Sequence, residues 1–204
     1  SNEHMSIAGN VFYNMVNDYI FYQKLTAVGG GDSIIMDYAH DPAGEELYAF
    51  AFRQKDAHLY GAEFNIDIHP HPLDWLHFES SFETVTGEKQ NREFLPLIPA
   101  NNWNNSLRAE FNIKNWLKDG FATLNVSNTF DQKRVSGFET YSGGYTLVNF
   151  GIGGQINIRK AHFNFNINGN NLFNKSYIAH LSRLKNDDIP NIGRNIVLGI
   201  NFSL

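Results

Sequence analysis

The sequence predicts an all-β chain: an antiparallel meander of about eight strands, part of a transmembrane β-barrel or a fragment re-closing from one. Three observations carry this. Apolar and polar residues alternate over stretches of about ten residues, as they do on a strand whose side chains point to opposite faces. Short turns and long loops alternate strictly between those stretches, the layout of a barrel with one tight rim and one elaborated rim. The polar face of the stretch from Ala161 to Phe173 is His162, Asn164, Asn166, Asn168 and Asn170, a row that suits a wet interior behind a greasy exterior.

Composition agrees. The 204 residues include 17 Phe, 17 Gly and 9 Tyr, with only 18% charged residues. No apolar run of about 18 residues is present to cross a membrane as a helix, which leaves strand crossing open. The absence of Cys removes disulfides and thiolate chemistry together. A net charge of −5 argues against a nucleic-acid partner, which would want a basic face. No signal peptide is visible. The chain begins inside a patterned region and is expected to be a fragment of a longer one.

The elements follow in order. Ile7 to Tyr22 is the first strand. Gly29 to Glu46 is a long loop with Gly-rich and Asp-Pro turns. Leu47 to Ile68 returns as one long strand with an irregularity near Lys55-Asp56-Ala57. His69 to Asp74 is a short turn, because Pro70 and Pro72 cannot sit in an interior strand. Leu76 to Thr86 goes out, Gly87 to Asn102 loops, and Trp103 to Asn115 comes back. Trp116 to Gly120 is a tight turn, Phe121 to Phe130 the next strand, and Asp131 to Gly144 a loop. Tyr145 to Ile158 and Ala161 to Phe173 form a hairpin about Arg159-Lys160. Asn174 to Arg194 is the last long loop and Asn195 to Leu204 the last strand. Tyr19, Phe21, Tyr22, Trp103, Tyr145 and Tyr177 on the long-loop side, with Trp75 and Trp116 beside short turns, are expected to form two aromatic girdles.

With the strands in place, several segments resemble the TonB-dependent outer-membrane receptors. Asn170-Asn171-Leu172-Phe173-Asn174-Lys175-Ser176-Tyr177, then Ile189-Pro190-Asn191-Ile192-Gly193-Arg194, then an alternating strand, is similar to the end of such a receptor. Asn10-Val11-Phe12-Tyr13-Asn14 with Asp18-Tyr19-Ile20, Ala57 to Glu63, and Leu95-Pro96-Leu97-Ile98-Pro99 resemble further motifs of the family in the right order. The resemblance implies a receptor for a scarce nutrient, such as a ferric siderophore or another metal chelate. It would be driven by TonB through a plug domain and sit in the outer membrane of a Gram-negative bacterium. Residues 1–204 would be the C-terminal barrel segment, without the plug and the earlier strands of a barrel of about twenty-two. No enzyme activity and no cofactor are implied.

Site residues are fewer. In the outer loop His180 to Asp188, Arg183 and Lys185 could attract an anionic chelate and His180 could touch a metal or haem. The family's H-x-S-R-x-K pattern there also allows a purely structural role in packing the loop. Ile200, Phe202 and Leu204 are the in-phase positions of a terminal assembly signal for the barrel assembly machinery; the family usually ends on an aromatic residue, and here Leu204 stands in that place. His69 and His71, with His77 nearby, are two or three imidazoles with no carboxylate fixed beside them, so no metal site is assigned. Glu63, Asp67, Glu79 and Glu83 share a face with Arg108 and Glu110 on a later strand. Charge pairing in a lumen accounts for them more simply than acid–base catalysis. No nucleophile elbow, phosphate loop or zinc-protease motif is present. The alternative function is a soluble or surface glycan-binding β-domain using Trp103, Trp116 and Tyr141 as stacking platforms. It would need the apolar stripe turned inward to a core.

Overall fold

The protein is described by a computed structural model covering residues 4–39, 42–114, 116–158 and 161–203. Leu204, Asn115 and the expected Arg159-Lys160 turn lie outside the described residues.

Every long element is a strand. They are β1 (Met5–Lys24), β2 (Ile34–Asp37), β3 (Glu45–Tyr48), β4 (Phe50–Ile68), β5 (Leu76–Lys89), β6 (Asn102–Ile113), β7 (Leu117–Thr129), β8 (Tyr145–Ile158), β9 (Ala161–Asn170) and β10 (Asn195–Ser203). The only helical turn among the described residues is a 3-10 turn at Lys185–Asp187. Eight strands form one sheet in the order β1-β4-β5-β6-β7-β8-β9-β10, each antiparallel to its neighbour in the sheet. β2 and β3 form a separate two-stranded ribbon inside the first long loop, which the sequence leaves irregular.

The register sorts the side chains as the alternation predicts. Phe150, Ile152 and Ile156 of β8 stand beside Gly169, Ile167 and Phe163 of β9. Ile167, Phe165 and Phe163 pair in turn with Leu198, Ile200 and Phe202 of β10. Asn168, Asn166 and Asn164 occupy the opposite face with Asn149 and Gln155. The apolar face has no protein layer over it: Leu198 is 64% exposed and Phe202 69%. A soluble sheet hides such a face against a second layer, so this sheet is built for an apolar solvent. The polar face is the concave one. Ser6, Asn65, Glu79, Asn104 and Asn125, from five different strands, line a single hollow of about 470 Å³.

The sheet is open. Among the described residues β1 pairs only with β4 and β10 only with β9, so two edges remain and these strands do not re-close on themselves. The small buried core lies on the polar face, where Leu95 and Ile98 of the β5–β6 loop fold back onto Ala57, against Tyr19, Leu59 and Val85. A Cβ on Gly87 would stand 2.8 Å from Ile98 and 3.0 Å from Leu95, so the glycine makes room for that return.

Three local differences from the sequence reading have physical causes. The irregularity expected near Asp56 is carried by β1: the register shifts between Val16 and Tyr19, Asp18 takes φ of 53°, and its N–H donates to Asp56 Oδ1 at 3.1 Å. One extra residue reverses the alternation beyond it. Tyr19 and Phe21 therefore turn to the polar face, Phe21 only 5% exposed, instead of joining a lipid-facing girdle. Trp75, Trp103 and Trp116 remain exposed, at the rims expected for them. Finally, Trp116 to Gly120 is not a tight turn. β7 already runs from Leu117, with a register irregularity between Lys118 and Phe121. Asp119 has φ of 49° and its N–H donates to Asn112 Oδ1 at 2.9 Å.

Candidate functional site

Three of the four long loops on one rim are knitted together, and a carboxylate stands at the junction. Glu139 Oε1 accepts the Leu97 N–H at 2.9 Å, and Oε2 accepts the Ser136 N–H at 2.9 Å and its hydroxyl at 2.8 Å. Its side chain is 10% exposed and lies 3.8 Å from His180 Nε2. Gln132, 1% exposed, donates to the carbonyls of Ile98 and Pro99 at 2.9 and 2.8 Å and accepts the Arg134 N–H at 3.0 Å. Arg134 donates to Asn101 Oδ1 at 2.8 Å and to Thr86 Oγ1. Buried polar groups must be paired, and here the Leu97, Ile98, Pro99 and Asn101 contacts tie the loop at 131–144 to the one at 90–101, while the Ser136 and Arg134 N–H contacts brace the loop internally.

The last loop is shaped by its Asn residues. Asn171 and Asn174 each take φ of 51°, a left-handed conformation that Asn tolerates. The Asn171 amide bridges the N–H and carbonyl of Lys175 at 2.8 Å. Asn174 Oδ1 accepts the Arg194 N–H at 2.9 Å, and Asn191 Oδ1 accepts that of Ala179 at the same distance. The motif residues of this segment thus close the loop on itself.

The candidate ligand residues divide. His180, 9% exposed, places Nδ1 2.8 Å from Ser142 Oγ and 3.2 Å from Lys185 Nζ. An ammonium only donates, so Nδ1 accepts and the proton sits on Nε2, toward Glu139. Burial, and then the Lys185 charge, hold the His180 imidazole below its usual pKa, against the pull of Glu139. Burial likewise lowers Lys185, whose ammonium also donates to the Thr140 carbonyl. Arg183 is exposed. His180 and Lys185 therefore hold the last loop to the one at 131–144, and Arg183 presents the free charge. Glu139, Gln132 and Arg134 belong to no motif and went unassigned in the sequence. Ile200 and Phe202 lie exposed on the apolar face; Leu204 is outside the described residues.

Beside this network lies a hollow of about 440 Å³ lined by Phe21, Tyr22, Phe94 and Phe138 and by two ion pairs. Lys24 meets Asp32 at 2.7 Å and Lys89 meets Glu93 at 2.7 Å. Trp103, Trp116 and Tyr141 form no common platform: Trp103 donates to Ser80 on the apolar face, Trp116 lies by the short turn, and Tyr141 is in a loop.

A single sheet with an uncovered apolar face, a concave polar face, and long loops on one rim is a section of outer-membrane β-barrel wall. A family model described as "TonB dependent receptor-like, beta-barrel" matches residues 2–172, and the chain belongs to that family. Its localisation is accordingly the outer membrane of a Gram-negative bacterium, and the family consists of transport receptors, not enzymes. Among solved structures the chain is similar to "Copper transporter OprC", with a TM-score of 0.68 and 17% identity over 96% of this chain. It spans 28% of the length of that relative. At this identity the likeness concerns the fold.

Proposed function

We propose that residues 1–204 form the C-terminal barrel segment of an outer-membrane receptor that takes up a scarce nutrient as a metal chelate, with energy supplied by TonB. Earlier strands would pair with the free edges of β1 and β10, and a plug would fill the concave face. A ferric siderophore is the cargo favoured by the family resemblance, and the barrel assembly machinery would read the last strand. The observation that carries the reading is the rim: three loops braced by buried polar groups over a polar wall, a construction that holds a capture surface in shape.

The cargo contact falls on the last loop. Arg183 meets an anionic chelate directly, and His180 and Lys185 join it when the loops part. The experiment is uptake of a labelled ferric chelate by cells carrying the full-length receptor as their sole uptake route. Uptake should vanish without TonB and weaken with Arg183→Ala while the receptor stays at normal levels. Uptake that is independent of TonB contradicts the transport reading. An unchanged Arg183→Ala phenotype contradicts the placing of the contact.

A further inference from the structure

At the long-loop rim one stretch of strand has a neighbour on one side only. β5 accompanies β4 as far as Ala57, opposite Lys89, and the Gln90 N–H donates to the Asp56 carbonyl at 3.1 Å. Beyond Asp56, from Lys55 back to Glu45, the run of β4 and β3 pairs only with β1 and then β2 among the described residues. Ala49 donates its N–H to Ser33 and accepts that of Leu25, both on the paired side. Peptide groups alternate along a strand. Tyr48, Phe50, Phe52 and Gln54 therefore present theirs to the open side, as the Asp56 carbonyl does. The stretch is about 35 Å long. Completing the barrel does not cover it, because β4 already has both of its barrel neighbours, β1 and β5.

Edge strands are usually guarded by proline, by a bulge or by being short. Residues 45–55 hold no Pro and no Gly, and the register with β1 runs unbroken from Phe50 to Lys55. Tyr48, Phe50 and Phe52 are exposed, Phe52 at 80%. The exposed charges are segregated, with Glu45 and Glu46 at the far end and Arg53 and Lys55 at the near end. Laid antiparallel to itself about Phe50, the stretch matches. Glu45 falls opposite Lys55, Tyr48 opposite Phe52, Ala49 opposite Ala51, and Phe50 opposite Phe50. Opposite charges and aromatic pairs directly across from each other stabilise strand pairing. In this register the peptide groups that meet are the open ones of Tyr48, Phe50, Phe52 and Gln54. The pairing also fills the open stretch from end to end, stopping where Gln90 closes the edge at Asp56.

We propose that the open edge from Glu45 to Lys55 is a docking site for the same stretch of a second copy of this chain, the two running antiparallel about a two-fold axis at Phe50. The axis passes through the sheet, so the two barrels lie at opposite ends of the paired strands. The contact thus joins receptors whose outer rims face each other. It is a function beyond uptake and is independent of which cargo the receptor carries.

The test follows the mass of the full-length receptor, purified in detergent, by sedimentation over a range of concentrations. A reversible dimer is expected. Glu45→Lys and Lys55→Glu should each weaken it about tenfold, because two ion pairs become like-charge contacts. The exchange Glu45→Lys/Lys55→Glu should restore it. Phe52→Pro removes an N–H aimed at the partner, leaves the bonds to β1 in place, and should abolish the dimer. Mild oxidation of cysteine variants reads the register: Phe50→Cys should cross-link to itself, and Tyr48→Cys only to Phe52→Cys. The heat-shifted mobility of the folded barrel controls for folding in every variant. A receptor that stays monomeric overturns the pairing, whether or not another of its own strands covers the edge. So does a folded Phe52→Pro variant that dimerises as the parent does, or Phe52→Cys that links to itself as readily as Phe50→Cys.

Discussion

Glu139 and Leu97 meet across 42 positions of sequence, the carboxylate accepting the backbone N–H at 2.9 Å. That contact joins two of the loops at the rim, and the same carboxylate holds Ser136. Removing it opens the Leu97 N–H to water and strands the donors of the buried Ser136, at about 1–3 kcal/mol. Glu139→Ala should therefore speed hydrogen exchange at the Leu97 and Ser136 amides by one to two orders of magnitude while the strand amides of β8 and β9 keep their protection. Unchanged exchange at Leu97 would show that the contact does not hold the loops.

The His180 imidazole makes the same rim sensitive to acid. Its pKa is lowered in the folded protein, by burial first and the Lys185 charge second, from an ordinary value of 6.5. The unfolded or opened loop thus binds more protons than the closed one as pH falls through 6.5, and closure weakens with acidification until the depressed folded pKa is passed. Exchange of the loop amides at 176–191 should rise between pH 7.5 and 5, beyond the intrinsic trend. His180→Gln should flatten that rise. Persistence of the full rise in His180→Gln would assign it to another group.

The wall itself is tested at one glycine. A Cβ on Gly61 would lie 2.2 Å from the Thr84 carbonyl oxygen and 2.8 Å from the Phe12 ring, which covers the position. The backbone atom cannot give way cheaply, so Gly61→Val should destabilise the barrel by about 1–3 kcal/mol. Urea unfolding from vesicles measures this. A midpoint equal to the parent's would mean the strands are spaced differently there.

Much of this wall is written in the sequence, and the exceptions share a cause. β8 starts and stops at Tyr145 and Ile158 as the alternation says, because pleat and solvent act residue by residue along one strand. The parity reversal at Asp18 and the true start of β7 at Leu117 depend on bulges, whose signal is a single residue in a left-handed conformation. Asp119-Gly120 looks like a turn for the same reason that it bulges. Leu95 and Ile98 carry loop-like neighbours, Pro96 and Pro99, yet form the buried core, since what covers them comes from β4. Glu139 and Gln132 were illegible because the partners that join them to the neighbouring loop lie more than 30 positions away and no spacing rule links them.

The two faces predict opposite responses to the same charge. Ile167 and Asn166 are adjacent on β9 and point to opposite sides. Ile167→Arg places a charge in lipid at a cost of about 2–4 kcal/mol near the midplane, while Asn166→Arg places it in a polar interior. Outer-membrane levels of the full-length receptor should fall for the first and hold for the second. Leu204→Asp, at the in-phase end of Ile200 and Phe202, should also reduce assembly. Equal levels for Ile167→Arg and the parent would deny the lipid-facing assignment.

The most direct measurement uses the absence of cysteine from the sequence, so that one introduced thiol reports one position of this segment. Gly137→Cys, in open space on a long loop, and Arg183→Cys should react with a membrane-impermeant maleimide on intact cells carrying the full-length receptor. Asp74→Cys, in the short turn after β4, should react only after the outer membrane is opened. Labelling of Gly137 and Arg183 from outside with Asp74 protected is the result that an outer-membrane barrel with its long loops at the cell surface predicts. Equal labelling of all three positions on intact cells, or of none, would contradict it.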